Sequence, residues 1–360
     1  MRRHAALIVG GGPAGAAAAI ALARGGTPAL VLERTRETGD ALCGGFLSWR
    51  TLETLATLGV EADDLNRDRV TRVRLFAGDH MAEAPLPRPA VCVSRHRLDT
   101  LLLDRVDAIE RGVGARAVED DGIRLHDGTT VATDALFLAT GKHDLRGLAR
   151  PEAARGRDPT LGLRVRLAAA PELDALVGDT IELHLFDRGY AGIARQEDGS
   201  VNLCMAVHRS RLTEAGSPLA LLAALGNENP HLGDRIAHMA AGAAIDAVAN
   251  VPYGWRQRSG TAGLFRLGDQ AGVIPSLAGE GMGIAIASGI AAANAYTRGG
   301  PDAARRWQPG FARAVHRPIG VAGLIRGIGE GPLAPLLVAA ARPALIQIVA
   351  RLTRIGHAGH

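Results

Sequence analysis

An α/β fold with an inserted antiparallel β-sheet and a helical C-terminal tail is what this sequence predicts, and three observations predict it. A short apolar strand near the N-terminus runs into Gly-x-Gly-x-x-Gly and an alanine-rich helix. A block of alternating, turn-punctuated strands occupies residues 160 to 255. From residue 263 a second strand–glycine–helix segment restores the parallel pattern.

Composition bounds the answer. At 360 residues and 47% hydrophobic content the chain can bury a sizeable core, and its length suggests about two domains of roughly 150 residues. Charged residues make up 22%, which argues against disorder. The net charge of +4 is mild, and no basic run carries interleaved aromatics, so a nucleic-acid partner is not expected. Two imbalances stand out. Lysine occurs once, at Lys142, the other basic residues being arginine, a bias that a GC-rich coding sequence explains. Aromatics are scarce, with six Phe, three Trp and three Tyr. Cys43, Cys92 and Cys204 are odd in number and far apart, with neither metal spacing nor a disulfide framework, which points to a reducing compartment and no metal. Arg2 and Arg3 precede an uncharged stretch from Ala5 to Ala23 that imitates a signal peptide, but Gly10-Gly11-Gly12-Pro13 would break a membrane helix. No cleavage and a cytoplasmic location are expected.

The elements follow in order. Ala5 to Val9 reads as a buried parallel strand. Gly10 permits the tight turn, Gly12 leaves room for a pyrophosphate, and Gly15 lets helix and strand pack closely. The helix, running to about Arg24, turns its free N–H groups toward phosphate. A second strand, Pro28 to Leu32, ends in Glu33, placed to accept from ribose hydroxyls. Strand, helix, second strand and acid fall in register, which predicts a dinucleotide site in a Rossmann-like domain. Residues 50 to 59 read as a helix, 70 to 84 as one or two strands, Pro85-Leu86-Pro87-Arg88-Pro89 as a rigid turn, and Leu98 to Ile109 as an amphipathic helix. Residues 113 to 131 read as a small meander with a turn at Asp127-Gly128, and Asp134 to Ala139 as a separate buried strand. Residues 162–167, 180–186, 190–195 and 200–207 read as strands of an inserted substrate layer.

The second diagnostic segment follows the strand Leu264 to Leu267. Gly268-Asp269 could accept from a ribityl hydroxyl, and the glycines from Gly279 to Gly283 allow backbone to approach a flat ring. The helix beginning near Gly281 aims its positive end there, where a reduced flavin carries negative charge. FAD is therefore the expected cofactor. The division expected is a discontinuous FAD-binding domain (1–70, 90–158 and 259–300), a substrate domain (71–89 and 159–258) and a C-terminal helical segment (301–360).

Gly10 to Gly15 with Glu33, the segment Cys43-Gly44-Gly45, Arg95 followed by Leu98-Asp99, and Gly268-Asp269 with Gly279-Glu280-Gly281 together resemble the FAD-dependent oxidoreductases of the geranylgeranyl reductase and aromatic-hydroxylase (flavoprotein monooxygenase) superfamily. The resemblance spans roughly residues 1 to 300 and implies an FAD domain of the GR2 type. It places Glu33 on the adenosine ribose, Arg95 near the pyrophosphate or ribityl chain, and Gly268 and Asp269 on the ribityl-phosphate. It sets Gly279, Glu280, Gly281, Met282 and Gly283 against the isoalloxazine. Pro13, Ala14, Arg34, Cys43, Gly44, Val113, Thr140, Gly141 and Pro275 complete the cofactor-binding candidates. One stretch departs from the hydroxylase pattern. Those enzymes read Ala-Asp-Gly where this chain has Ala139-Thr140-Gly141-Lys142-His143. The aspartate linked there to FAD and NAD(P)H handling is missing, which argues against direct, tight nicotinamide binding, and no second Gly-x-Gly-x-x-Gly follows a strand, so NAD(P)H or another external donor is expected without a dedicated domain. Lys142 is either a phosphate contact or a solvated loop residue.

On the substrate side, Cys43 could donate a proton to carbon or simply pack as a small hydrophobe. Tyr190 could orient a substrate oxygen or fill the core. Cys43 and Tyr190 are the catalytic candidates. Phe46, Trp49, Phe186, Tyr190, Tyr253 and Trp255 are the candidate pocket wall. His184 and His208 read as satisfied surface or core histidines. Residues 319 to 355 are apolar, broken by prolines and punctuated by Arg326, Arg342, Arg351 and Arg354. They either close the substrate cavity or lie on a membrane surface at the inner face. The leading expectation is hydroxylation of a lipophilic small molecule with reduced FAD and O2. The alternatives are reduction of an isoprenoid alkene, as in geranylgeranyl reductases, and a non-catalytic electron carrier at a membrane.

Overall fold

The computed structural model describes residues 2–119 and 122–356. Among these, fifteen strands form two sheets. The first contains β1 (Arg2–Val9), β2 (Leu30–Glu33), β6 (Ile109–Arg111), β7 (Ala115–Glu119), β8 (Gly122–Leu125), β9 (Thr130–Leu138) and β15 (Leu264–Arg266). Its order is β6-β2-β1-β9-β8-β7, with β15 also on β9. The strands from β6 to β9 and β15 run parallel, and β7–β8–β9 is an antiparallel meander. The second sheet, in the order β14-β10-β13-β12-β11-β4-β5-β3, holds β3 (Phe46–Leu47), β4 (Val70–Ala77), β5 (His80–Cys92), β10 (Thr160–Leu167), β11 (Thr180–Phe186), β12 (Gly189–Arg195), β13 (Val201–His208) and β14 (Ile245–Val251). All its pairings are antiparallel except β4 with β11.

Leu7 and Ile8 of β1 are fully buried, as a strand covered on both faces requires. The alanines that follow are small for a packing reason. The helix Pro13–Arg24 lies against the long helix Gly281–Gly299, and a Cβ at Gly289 would stand 2.3 Å from the Ala14 carbonyl oxygen. A Cβ at Gly15 would stand 1.9 Å from the Gly10 oxygen. Gly10 itself has φ +105° and its Cβ would meet the Ala139 oxygen at 2.4 Å. At all three positions backbone occupies the space of a side chain.

Four sequence expectations are corrected. Pro85 to Pro89 is not a turn but lies inside β5. The β4–β5 register jumps from Val70↔Ala90 to Arg72↔Pro85, so Pro85 stands at the edge of a bulge and Pro87 and Pro89 lie within it, out of the ladder where no N–H is needed. The helix expected over 98–109 runs from Arg95 to Leu103. The Ser94 hydroxyl caps it by accepting from the Arg97 N–H at 3.1 Å, and Ile109 is drawn off to pair with Val31 in the sheet. Residues 130–131 and 134–138 form one strand, β9. The inserted sheet carries one parallel pair.

The C-terminal helices Ala334–Ala339 and Pro343–Leu352 lie over β5, the first of them also over β4, and the helix His316–Gly329 packs against both helices. No helix among the described residues is long and apolar enough to cross a membrane.

The second sheet is pinned by a buried charge cluster. The fully buried Glu182 carboxylate accepts from Arg235 at 2.9 and 2.7 Å and from Arg74 at 2.8 Å, with the His184 ring at 3.2 Å. Burial alone would raise this carboxyl's pKa, but the His184 and Arg235 partners outweigh it and hold it at about 2. A folded-state pKa below the unfolded one stabilises the fold above the ordinary carboxyl range. That stabilisation is lost as pH falls toward 2. Glu182→Gln leaves Arg235 buried without its anion and should lower stability by about 3–5 kcal/mol, read as a lower urea midpoint at unchanged slope. Between about pH 5 and pH 2 the wild type should lose more stability than the variant.

Candidate active site

A cavity of about 1140 Å³ opens between the two sheets and the terminal helices. It is larger than an ordinary small-ligand pocket of roughly 300–1,000 Å³, as a dinucleotide plus a substrate requires.

One end is the turn after β1. Gly10, Gly12, Pro13 and Ala14 line it. The first helix has no side-chain cap at Gly12, so its leading N–H groups remain for a ligand. Glu33 closes β2 at the cavity wall. Its carboxylate accepts from the Gly11 N–H at 2.8 Å and from the Thr35 N–H and hydroxyl at 2.8 Å. Arg34 and Val113 line the same end, Arg34 lying 2.9 Å from the His143 ring. Arg95 grips Asp99 through two bonds, at 2.9 and 2.6 Å. Burial pulls the Arg95 pKa down, yet the Asp99 charge and hydrogen bonds raise it overall, so the guanidinium is a fixed cation. A Cβ on Gly12 would stand 3.3 Å from it.

The loop that departs from the hydroxylase pattern sits at mid-cavity. Thr140, Gly141 and Lys142 line the space. The Lys142 ammonium lies 3.5 Å from the Asp269 carboxylate, whose charge raises its pKa. The Gln270 amide donates to the carbonyls of Gly141 and His143. Arg150 donates to the carbonyls of Asp269 and Lys142. Lys142 is thus tied to Asp269 at the cavity wall, with a third of its side chain exposed.

At the far end, Cys43 and Gly44 face Gly279, Gly281 and Met282 across the cavity. A Cβ at Gly44 or Gly281 would meet nothing within 4 Å, leaving open space beside bare backbone, as a flat ring needs. The loop carrying Cys43 is held by the second sheet. Asn202 donates to the Cys43 carbonyl at 2.9 Å, and Asp40 joins the Arg95 N–H at 3.0 Å to Arg164 at 2.8 Å. These features fit FAD. Glu33 and Arg95 would hold its adenosine and pyrophosphate, Gly268 and Asp269 its ribityl chain, and Gly44 and Gly281 its ring.

Several candidates lie elsewhere. Glu280 does not face the cavity. It is fully buried and accepts from Arg354 at 2.6 Å, the Ser48 hydroxyl at 3.0 Å and the Ile355 N–H at 3.2 Å. A buried carboxylate takes the nearest cation, and here that cation comes from the tail. Gly283 spares room for Thr51 and Glu280 rather than for a ring. Pro275 gives way to Ser276 at the wall, and Gly15 serves helix–strand packing. Of the six aromatics, Phe46, Tyr190 and Tyr253 line the cavity. Trp49 is buried behind it under the Arg354 guanidinium, Phe186 packs in the core against Gly189, and Trp255 stays off the wall. His184 belongs to the Glu182 cluster, and His208 lies between Glu330 and Asp158.

Sequence reasoning missed Ser276. Its hydroxyl lies 2.5 Å from the Tyr190 hydroxyl and 2.7 Å from that of Tyr253. The Leu277 N–H donates to Tyr190 at 3.0 Å. Three hydroxyl hydrogens serve two hydroxyl–hydroxyl contacts, so one is left over. Tyr190 is buried and burial keeps its pKa well above the usual phenol value, so it keeps its hydrogen. The spare hydrogen therefore belongs to the cluster of Tyr190, Ser276 and Tyr253, all three at the cavity wall. Arg326, 4.7 Å above the Tyr253 ring, fixes that ring from the tail. The tail residues Ile325, Leu337, Ile346 and Val349 form the remaining wall, and no local pattern marked them.

A family model described as an FAD binding domain matches residues 3–147. The chain is 30% identical over 345 residues to a menaquinone reductase of Mycobacterium tuberculosis, covering 88% of this chain and 81% of that protein. Its fold is similar to that of a probable FAD-dependent monooxygenase from Pseudomonas aeruginosa, with TM-score 0.71, 18% identity and coverage of 94% of this chain and 100% of that one. It is also similar to a geranylgeranyl bacteriochlorophyll reductase-like protein from Thermoplasma acidophilum, with TM-score 0.69, 19% identity and coverage of 99% and 94%.

The purified protein should be yellow, and Gly12→Val should remove the colour while leaving the circular dichroism unchanged. Full FAD occupancy in Gly12→Val would refute the phosphate site. Glu33→Ala should weaken FAD binding by roughly 10- to 100-fold, the worth of hydrogen bonds to a charged group, measured by titration of the apoprotein.

Proposed function

The chain belongs to the family of FAD-dependent oxidoreductases that includes the mycobacterial menaquinone reductases, and from that premise we propose that it reduces a carbon–carbon double bond in a lipophilic, isoprenoid-bearing substrate of the quinone class. The observation that carries this reading is the apolar space beyond the flavin end. Val73, Leu75, Leu183 and Met205 of the second sheet face Leu337, Ile346 and Val349 of the tail helices. A long hydrocarbon chain gains by leaving water there, at about 25 cal/mol per Å² of apolar surface. An electron carrier with no substrate of its own has no use for such a space.

Bound FAD supplies the electron pair, restored by NAD(P)H or another external donor. Saturating one double bond takes two electrons and two protons. Cys43, at the wall beside Gly44, holds one of those protons at Sγ and regains it from solvent. The spare hydroxyl hydrogen of the Tyr190–Ser276–Tyr253 cluster donates to an oxygen of the substrate and sets which bond lies over the ring. Arg354 keeps Gly279 and Phe46 in place by donating to the Ala278 carbonyl at 2.8 Å.

Hydroxylation of a lipophilic ring is the second reading, and the same spare donor favours it, since a hydrogen-bonded phenolic oxygen orients an activated ring. The test is reaction of the reduced protein with menaquinone carrying an unsaturated side chain. Anaerobic gain of two hydrogens by mass spectrometry that persists after the ring is reoxidised to the quinone supports reduction of the side-chain double bond. Oxygen-dependent gain of one oxygen atom supports hydroxylation, and no product under either condition overturns both. If Cys43 is the proton donor, Cys43→Ala should slow turnover by roughly 10²- to 10⁴-fold with FAD retained. An unchanged rate would assign that proton to water. Tyr253→Phe should raise KM more than it lowers kcat.

A further inference from the structure

Among the described residues, seven large hydrophobic side chains are half exposed or more. All but Leu219 fall in one region. Leu324, Leu336, Leu345 and Ile348 are on the three terminal helices, Leu333 caps the second of them, and Met81 is on the β4–β5 hairpin that the last two helices cover. Singly scattered apolar residues need no explanation, but a group on touching elements does. The helix Pro343–Leu352 is apolar on both sides. Ile346 and Val349 line the cavity, while Leu345 and Ile348 are half exposed, and no residue of the helix is fully buried. Leu345 lines the cavity, and Ile348, three residues on along the same helix and off the wall, is half exposed, so cavity wall and outer surface adjoin at this helix.

The exposed charge of the three terminal helices has one sign. Arg317, Arg342 and Arg351 are exposed, and none forms an ion pair among the described residues. The acid of these helices, Glu330, is engaged by Arg326 at 2.7 Å and His208 at 3.0 Å. Arg354 is spent on Glu280. Asp79, at the tip of the hairpin, is the nearby exposed acid.

We propose that this face docks on the surface of an anionic phospholipid bilayer, with the cavity mouth opening into the lipid. The inference rests on the lipophilic-substrate reading above and deepens it. The leucines and Ile348 enter the acyl boundary while Arg317, Arg342 and Arg351 reach the phosphates, the division of labour of an interfacial helix. A second copy of the chain fits less well, because a two-fold contact would set these arginines against their own counterparts. Docking lets a substrate dissolved in the bilayer enter at Leu345 without crossing water.

The test is sedimentation of the FAD-loaded protein with vesicles. It should pellet with equimolar phosphatidylglycerol and phosphatidylcholine, and bind phosphatidylcholine alone about tenfold or more weakly. Leu336→Glu with Ile348→Glu, neither at the cavity wall, should weaken vesicle binding by about tenfold or more. That double variant should keep its FAD absorbance and its turnover of a water-soluble, short-chain analogue. Arg342→Glu with Arg351→Glu should remove the preference for the anionic vesicles. Protein that stays in the supernatant with both vesicles overturns the proposal. So does a dimer in analytical ultracentrifugation that the leucine–isoleucine variant dissociates, since a second copy then owns the face. Vesicle binding that persists while no lipid is turned over overturns the substrate reading and supports docking. Turnover of detergent-dispersed lipid by a protein that ignores vesicles overturns docking alone.

Discussion

Three backbone approaches with no room for a methyl group govern this molecule. At Gly15 the first helix lies on the turn that precedes it, at Gly10 the turn lies on the end of β9, and at Gly289 the long helix lies on the first. Packing this close fixes both helices against β1, and both begin at the cavity. One N-terminus faces the phosphate end and the other the ring end, so a single packing constraint sets the spacing of two electropositive sites. The alanine-rich composition of the first helix is the same constraint read in side chains.

The second organising interaction is the buried pair Glu280–Arg354. It joins the residue just before the long helix to the residues just after the last one, 74 positions away. Through it the tail is drawn over the cavity, and Arg354 comes to lie above Phe46 and Trp49. A buried pair like this is weak evidence of net stability, but losing one partner strands a charge. Its value lies in placement, since the tail then supplies much of the apolar wall and the guanidinium that holds Tyr253. The arginine-rich composition serves that geometry, because a planar guanidinium can bond two carbonyls or a carboxylate while stacking on a ring. Lysine appears once, at the one place where a compact point charge meets Asp269.

Much of the phosphate end was legible in the sequence. Gly10, Gly12, Gly15 and Glu33 each answer to a local requirement, a turn, a ligand approach, a helix contact or a strand end, so spacing alone reveals them. Strands β4, β10, β11, β12 and β13 of the second sheet were legible from their two-residue period, whereas β3 and β14 were not and β5 only in its first half. The proline run at 85–89 was not. Proline reads as a turn locally, and only the pairing of β4 across the bulge shows that no hydrogen bond is forfeited. Ile109 likewise suits a helix until Val31 claims it for the sheet.

By itself, the sequence determined that a dinucleotide is cradled by a parallel sheet, that a second sheet is inserted, and that the chain ends in apolar helices. Those features follow from short-range sterics and periodicity. The tertiary structure alone decided which aromatics reach the cavity, that Glu280 serves the tail rather than the cofactor, and that Ser276 completes a hydroxyl cluster with one hydrogen to spare. Each of these depends on residues tens to hundreds of positions apart meeting in one place. A buried charge or hydroxyl takes whatever partner the packing brings within 3 Å, and no local pattern records which one that is.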